Sequence, residues 1–333
     1  MFELILTILS LLIIYLFDKY RKEISKRTKL IDKPDKIRKL HKKPTPLLGG
    51  LMLFSTFLLI NLYLIFLQDL KSSSLIIFAS CFGCLILGFI DDLKRVPYKY
   101  KFLILIIIFL FASLDPNLNI NKIYFSTFDK EFYLDNFNIA FTILCLLLLT
   151  NAINLIDGID GLCILVSIIF IIWLNNTFQN TEPLYTVMVM SLIYVLYLNL
   201  KKNVFIGDSG SLFLGCLIGL NIIFNYNLEI SKVNFPIENI FIALMLPGLD
   251  MLRVFIIRVV NKKNPFSPDR IHFHHLLINH GLNNINILII FTLLILLPIL
   301  INIYTNLKPI YIILFYILFY IVLIFKLKKI PKN

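Results

Sequence analysis

Eleven apolar runs, separated by short polar segments, make up most of this chain of 333 residues. They lie at roughly 2–17, 47–67, 74–90, 102–114, 137–150, 162–175, 184–199, 211–225, 239–259, 285–303 and 309–325. Apolar runs with so few internal charges predict membrane-spanning helices. Several fall short of the ~20 residues that a full crossing takes, so either their helices extend into the polar segments or some are broken around a cavity. One polar segment has another period. Within 115–136, KIYFSTF and EFYLDNF alternate apolar and polar positions, which suits a short β-hairpin. No polar segment is long enough to fold alone. The expected architecture is therefore all-α, a polytopic integral membrane protein with about eleven transmembrane helices in one domain, residues 1–333.

Composition agrees. The chain is 59% hydrophobic, against about 45–50% for a soluble domain, and its mean hydropathy is +0.85. A net charge of +12 could suit nucleic acid, but its placement points to topology instead. If the chain starts outside, the inner segments are 18–46, 91–101, 151–161, 200–210, 260–284 and 326–333. With Arg253 and Arg258, near an inner end, they hold 27 of the 32 Lys and Arg; the outer segments hold only Lys71, Lys122, Lys130, Lys232 and Lys308. That asymmetry follows the positive-inside rule and puts the N-terminus outside and the C-terminus in the cytoplasm. The opening run MFELILTILSLLIIYLF has no basic region before it and no small-residue cleavage site, so it reads as a retained first span. Segment 18–46, with twelve Lys and Arg, is either simply retained inside or held against anionic headgroups. No internal repeat is evident. The five cysteines lie in or beside apolar stretches, and the C-x-x-C of Cys81 and Cys84 falls inside a span, so no disulfide is expected.

Four polar clusters interrupt the apolar pattern, and on this topology all four face the cytoplasm. Ionisable groups are costly at membrane depth and mark function there. Asp91 and Asp92 end a long span, where mutual repulsion and the helix C-terminus both disfavour them. A metal or a phosphate-binding cation would account for the pair; neutralisation by Lys94 and Arg95 is the plainer alternative. Asn151, Asn154, Asp157 and Asp160 recur every three residues, forming a polar stripe if helical, while Gly158 and Gly161 break the helix or let a ligand approach. In FIGDSGS, Asp208 opens the next span after a glycine turn and could hold Mg²⁺, with backbone N–H groups facing phosphate; an Asp N-cap is the plainer alternative. Phe205 could stack on a nucleobase or belong to the core. In PFSPDRIHFHHLL, Arg270, His272, His274 and His275 suit a diphosphate or sugar better than zinc, because cysteine partners and the usual spacing are missing.

Five segments, HKKPTPLLGG, GFIDDLK, TNAINLIDGIDGL, FIGDSGSLFLG and PFSPDRIHFHHLL, resemble in order the signatures of the polyprenyl-phosphate N-acetylhexosamine-1-phosphate transferases, glycosyltransferase family 4. The H-x-H-H motif after a P-x-x-D run (Pro247 to Asp250) is similar to the undecaprenyl-phosphate GlcNAc-1-phosphate transferase branch; the phospho-MurNAc-pentapeptide branch has three consecutive histidines, where Phe273 intervenes here. Leu47 is a departure, since relatives often carry Arg there.

The resemblance implies transfer of N-acetylhexosamine-1-phosphate from a UDP-sugar to undecaprenyl phosphate, with release of UMP, beginning a cell-surface polysaccharide. It implies Asp208 and Asn154 as ligands of Mg²⁺ (or Mn²⁺) against the diphosphate. Asp91 and Asp92 would lie beside the metal, one of them deprotonating the lipid phosphate. Lys101 would engage phosphate, Asp157 would support the polar site, and Asn151 would belong to the substrate-binding stripe. Phe205 and Asp160 would hold uracil, and Arg270, His272, His274 and His275 the diphosphate and amino sugar. The implied setting is the bacterial inner membrane, with the site on the cytoplasmic face and a possible homodimer. The competing readings are the peptidoglycan branch and a transporter of cations or nucleotide-sugars; a transporter would need polar groups near the midplane as well.

Overall fold

The structure, a computed structural model, describes residues 2–32, 44–67, 72–178, 183–233, 235–264 and 271–329. Each of the eleven apolar runs is a helix: α1 (Phe2–Lys19), α3 (Gly49–Leu67), α4 (Ser72–Lys94), α5 (Tyr98–Ser113), α6 (Asn138–Ile156), α7 (Leu162–Phe178), α8 (Pro183–Leu200), α9 (Gly207–Val233), α10 (Ile237–Val260), α12 (Asn284–Tyr304) and α13 (Pro309–Lys329). Two short helices accompany them, the basic α2 (Arg21–Thr28) and α11 (Phe273–Asn279). Among the described residues seven helices are long and apolar enough to cross a membrane: α3, α4, α6, α9, α10, α12 and α13. α7 and α8 are shorter apolar helices.

Helix ends reach past the apolar runs, as the short runs required. α6 continues to Ile156, so Asn151 and Asn154 belong to its last two turns and only residues 157–161 form the turn into α7. α9 begins at Gly207, which puts Asp208 in its first turn.

α9 is the axis of the bundle. Burial covers 83% of its span window, against 28% in α12 and α13, so α9 is enclosed by protein while the last two helices face lipid. Small residues admit its neighbours. A Cβ on Gly88 of α4 would stand 2.4 Å from the Ser209 Cα, so only glycine lets these backbones come so close.

Two short antiparallel pairings complete the fold. The expected hairpin is present, with β3 (Lys122–Phe125) paired to β4 (Lys130–Tyr133). A pairing the sequence pattern did not signal joins β1 (Ile31–Asp32) to β2 (Thr45–Pro46). It leads into a clamp on the turn before α9: Phe205 N donates to Pro46 O, Gly49 N to Phe205 O and Gly50 N to Ile206 O. Leu47, half-buried, packs on the apolar core here and donates its N–H to Leu30 O. The five cysteines are free.

Candidate active site

Chain direction gathers the polar groups at one end of the bundle. α4 runs towards that end and finishes with Asp91 and Asp92, α5 starts from it with Lys101, α6 returns to it with Asn154, and α9 leaves it with Asp208. Lys101 Nζ bridges two carboxylates, 2.7 Å from Asp91 Oδ2 and 3.2 Å from Asp208 Oδ1. The other oxygen of Asp91 accepts from Val96 N at 2.7 Å and fixes the turn between α4 and α5. Asn154 Nδ2 donates to Asp208 Oδ1 at 2.5 Å and to Ser211 Oγ at 2.8 Å.

Asp92 has a different occupation. It accepts from the backbone amides of Asp208 (2.8 Å) and Ser209 (3.1 Å), so it caps α9 from a neighbouring helix. Two of the donors that any helix leaves unpaired at its start are thereby satisfied.

Asp157 lies just beyond α6 and keeps an exposed face on the cleft. The surrounding protein still desolvates it, and with repulsion from Asp208, Asp92 and Asp160 this holds its carboxyl well above the usual carboxylate range. Asp160 pairs with Lys202 at 3.6 Å. Phe205 is half-buried on the clamped turn. The Asn151 amide donates to Leu147 O on its own helix.

The histidine motif forms the adjoining wall. A Cβ on Gly158 would fall 2.1 Å from His274 Nε2, so the imidazole lies directly against the loop between Asp157 and Asp160. His274 stacks parallel to His272, with centroids 5.9 Å apart, and packs on His275 at 4.1 Å. Burial first, then the neighbouring His275, pushes the His274 imidazole down to about 3, so it is neutral at physiological pH. Arg270 lies outside the described residues.

Three residues that the sequence reading did not place in the site organise this wall. Asp250 of α10 accepts from Arg253 Nη2 (2.6 Å), His272 Nδ1 (3.0 Å), Phe273 N (3.1 Å) and Tyr320 OH (3.0 Å). Arg253 also donates to Ile271 O (2.6 Å) and Tyr320 OH (3.1 Å). Since a carboxylate only accepts, His272 Nδ1 is the donor to Asp250. Among the described residues His272 Nε2, His274 Nε2 and Arg253 Nη1 are buried without a hydrogen-bond partner. An acid inside an apolar helix was the available signal for Asp250.

An apolar cavity of about 450 Å³ lies between α6, α9 and α10. Its lining includes Ala152, two residues before Asn154, and Leu249 and Leu252 on either side of Asp250, so it reaches the polar end of the bundle.

For a divalent cation, the donor set is favourable in kind. Asp91 and Asp208 share Lys101, Asp92 sits on the backbone amides of Asp208 and Ser209, and Asp157 lies near Asp208 and Asp92, so hard oxygen donors are concentrated at one point. Among the described residues no three His, Cys, Asp or Glu form an all-protein metal cage. Mg²⁺ does not require one, because it is commonly held by one or two carboxylates, with water and substrate phosphate completing its shell.

Comparison with known proteins gives the same reading from a different direction. Residues 74–225, from α4 through most of α9, match the glycosyl transferase family 4 profile. The chain is 27% identical to the undecaprenyl-phosphate alpha-N-acetylglucosaminyl 1-phosphate transferase of Escherichia coli O157:H7, over 84% of this chain and 77% of that one. It is 29% identical to a probable undecaprenyl-phosphate N-acetylglucosaminyl 1-phosphate transferase of Bacillus subtilis (strain 168), over 85% and 80% of the two chains. A transferase of the first name from Yersinia pestis is 26% identical over 79% and 73%. The matched stretch carries Asp91, Asp92, Lys101, Asn154 and Asp208, the residues that meet at the polar end, and over that stretch the chain is similar to glycosyl transferase family 4.

Proposed function

We propose that the protein transfers N-acetylglucosamine-1-phosphate from its UDP-sugar to undecaprenyl phosphate, giving the undecaprenyl-diphospho-sugar and UMP. The observation that carries this reading is the meeting of Asp91, Lys101, Asn154 and Asp208 beside an apolar cavity that ends at the same level. A substrate with a charged head and a long hydrocarbon tail needs both. The names of the relatives support the donor and acceptor.

In the reaction an oxygen of the lipid phosphate attacks the β-phosphorus of the UDP-sugar. The bond from that phosphorus to the bridging oxygen breaks, and UMP leaves in line with the attack. Phosphates of like charge must approach each other, so neutralisation supplies much of the catalysis. Asp208 and Asn154 would hold Mg²⁺, whose contribution when bound is to offset the diphosphate charge. Lys101 exchanges its carboxylate partners for phosphate oxygens. Asp91, freed from Lys101, can accept a proton from the lipid phosphate. Asp92 keeps α9 in place and so positions Asp208. His274, neutral, and His272 both have unpartnered Nε2 atoms, which meet the polar groups of the sugar. Asp160, released from Lys202, and Phe205 receive the uracil. The acceptor oxygen then lies at the headgroup plane, reached by nucleotide from the cytoplasm of a bacterial inner membrane.

The test is UMP release by purified protein in detergent, with Mg²⁺, undecaprenyl phosphate and a panel of UDP-sugars. UMP that depends on lipid and on UDP-GlcNAc or an epimer is the expected result. UMP only with UDP-MurNAc-pentapeptide reassigns the chain to peptidoglycan synthesis. An Asp208→Asn variant that inserts, stays monodisperse and turns over normally would remove the metal assignment.

A further inference from the structure

At the end of the bundle opposite the carboxylates, the β3–β4 hairpin has two chemically distinct faces. Side chains alternate along each strand, and cross-strand partners share a face. The register pairs Ile123 with Phe132 and Phe125 with Lys130, giving one face, and Lys122 with Tyr133 and Tyr124 with Glu131, giving the other. The second face is polar and internally satisfied: Lys122 pairs with Glu131, Tyr133 OH donates to Glu131, and Tyr124 OH donates to Asp129 at the turn. The first is apolar: Ile123 is buried against the core at its inner end, Phe125 is half-buried, and aromatic rings continue outward from them. Phe125 packs against Phe132 at 5.6 Å and against Phe128 of the turn at 6.4 Å. Phe128 stays 63% exposed and Phe132 49%, with exposed Lys130 between them in sequence.

The hairpin is held firmly in this pose. Buried Glu238, in the first turn of α10, accepts from Ser126 N, Ser126 Oγ and Thr127 N at the tip (3.2, 3.3 and 2.9 Å). Tyr226 OH of α9 accepts from Tyr124 N at 3.1 Å. A mobile loop exposing phenylalanines could fold them away; a strut anchored at both its tip and its strand cannot. The chain leaves β4 directly into α6, of whose span window only 33% is buried. Leu144 and Leu148, one turn apart on that helix, are 51% and 46% exposed, and Phe137, in the 3-10 turn (Asp135–Phe137) that precedes it, is 76% exposed. The aromatic face thus continues a lipid-facing stripe.

We propose that this hairpin is a membrane anchor whose aromatic face, Phe125, Phe128 and Phe132, lies in the interfacial zone of the leaflet farther from the active site. Phenylalanines on the apolar face of an amphipathic element bed at the boundary between headgroups and acyl chains, and Lys130 beside them can extend to lipid phosphate. The occupant of the exposed face is phospholipid, and the polar face looks to water. Because the anchor hangs on Glu238 of α10, it also holds the far end of the wall of the apolar cavity.

The single tryptophan, Trp173, makes a direct test possible. It is 7% exposed and serves as a shielded baseline. Phe132→Trp and, separately, Tyr133→Trp are introduced into a Trp173→Phe background. The full chain is placed in nanodiscs whose acyl chains carry bromine near the headgroup or near the terminal methyl. The Phe132→Trp emission should be blue-shifted, lose at least about half its intensity to bromine near the headgroup, less to bromine near the methyl end, and resist iodide. Tyr133→Trp should respond the opposite way, quenched by iodide more than by bromine. If Trp173→Phe does not fold, the same substitutions are made with Trp173 retained and read as differences from wild type. Iodide quenching of Phe132→Trp without bromine quenching would overturn the proposal in favour of a hairpin projecting into water. Protection from both quenchers would overturn it in favour of a protein-covered face.

Discussion

Replacing Asp250 by alanine tests whether the histidine wall is held by one buried carboxylate. Asp250 accepts from four groups on three segments: Arg253 on its own helix, His272 and Phe273 at the start of α11, and Tyr320 on α13. The Arg253 side chain is 12% exposed, so without Asp250 its guanidinium remains buried and unpaired. Breaking one partner out of such a pair costs about 3–5 kcal/mol, and that is the expected loss in reversible unfolding from mixed micelles. Removing the stranded charge as well, in Asp250→Ala with Arg253→Met, should recover roughly 2 kcal/mol, because replacing both partners with apolar groups comes closer to neutral. UMP release should fall about 10²-fold in both, since displacing catalytic groups by about 1 Å costs that much. A single variant as stable and active as wild type would refute the reasoning. So would a double variant whose loss equals the sum of its parts, because partners in one network should not add.

Lys101→Met should lower UMP release by at least about 10²-fold, as expected when a charged stabiliser of a phosphoryl transfer is removed; turnover near the wild-type rate would place Lys101 outside the chemistry. Gly88→Val should separate α4 from α9, costing about 3 kcal/mol or more in unfolding and moving Asp91 away from Asp208; a stable, active variant would contradict the 2.4 Å approach to Ser209. His274 carries a pH effect whose sign is fixed. Its folded value is down at about 3, against about 6.5 unfolded, so between those values the unfolded chain binds the extra proton. Stability contributed by this group is complete above pH ~6.5 and is lost as pH falls towards about 3, at up to about 1.4 kcal/mol per unit. Unfolding measured at intervals from pH 7.5 down to about 5 should show that slope in wild type and a smaller one in His274→Gln; equal slopes would contradict a buried neutral imidazole.

The helices and the placing of the carboxylates at their ends were legible for a common reason: both are properties of a single chain segment. An apolar run of some twenty residues has few alternatives to a helix in lipid, and Asp91, Asp92 and Asp208 each sit where such a run ends. The hairpin was legible from its period-two alternation. Contacts between segments distant in sequence were not. Tyr320 lies in an apolar run where an aromatic reads as lipid-facing, and nothing local says that its hydroxyl meets Asp250. The β1–β2 pairing is two residues long, too short to leave a pattern. Asn151 belonged to a convincing stripe with Asn154, yet a helix advances 100° per residue, so residues three apart drift round the helix, and Asn151 bonds its own backbone instead. Arg270 lies outside the described residues, so its expected contact with phosphate rests on the motif.

The adjacent pair Asp91–Asp92 explains how the site can hold so much negative charge. At the C-terminus of α4 both carboxylates oppose the helix dipole, and an isolated α4 would not retain them. The approach of α9, permitted by Gly88, brings the opposite pole of a second helix to the same point. Asp92 then accepts two amides of that helix, so its charge is satisfied by the fold and is not available to substrate. Asp91 faces the other way, towards Lys101, in an ion pair that can exchange for phosphate. One carboxylate thus fixes the meeting of two helices, and its neighbour keeps an ion pair that the proposed transfer would exchange for phosphate. Had both been capping groups, Lys101 would keep only its longer contact to Asp208. Had both been free, α9 would begin with unsatisfied amides and Asp208 would have no fixed position relative to Asn154.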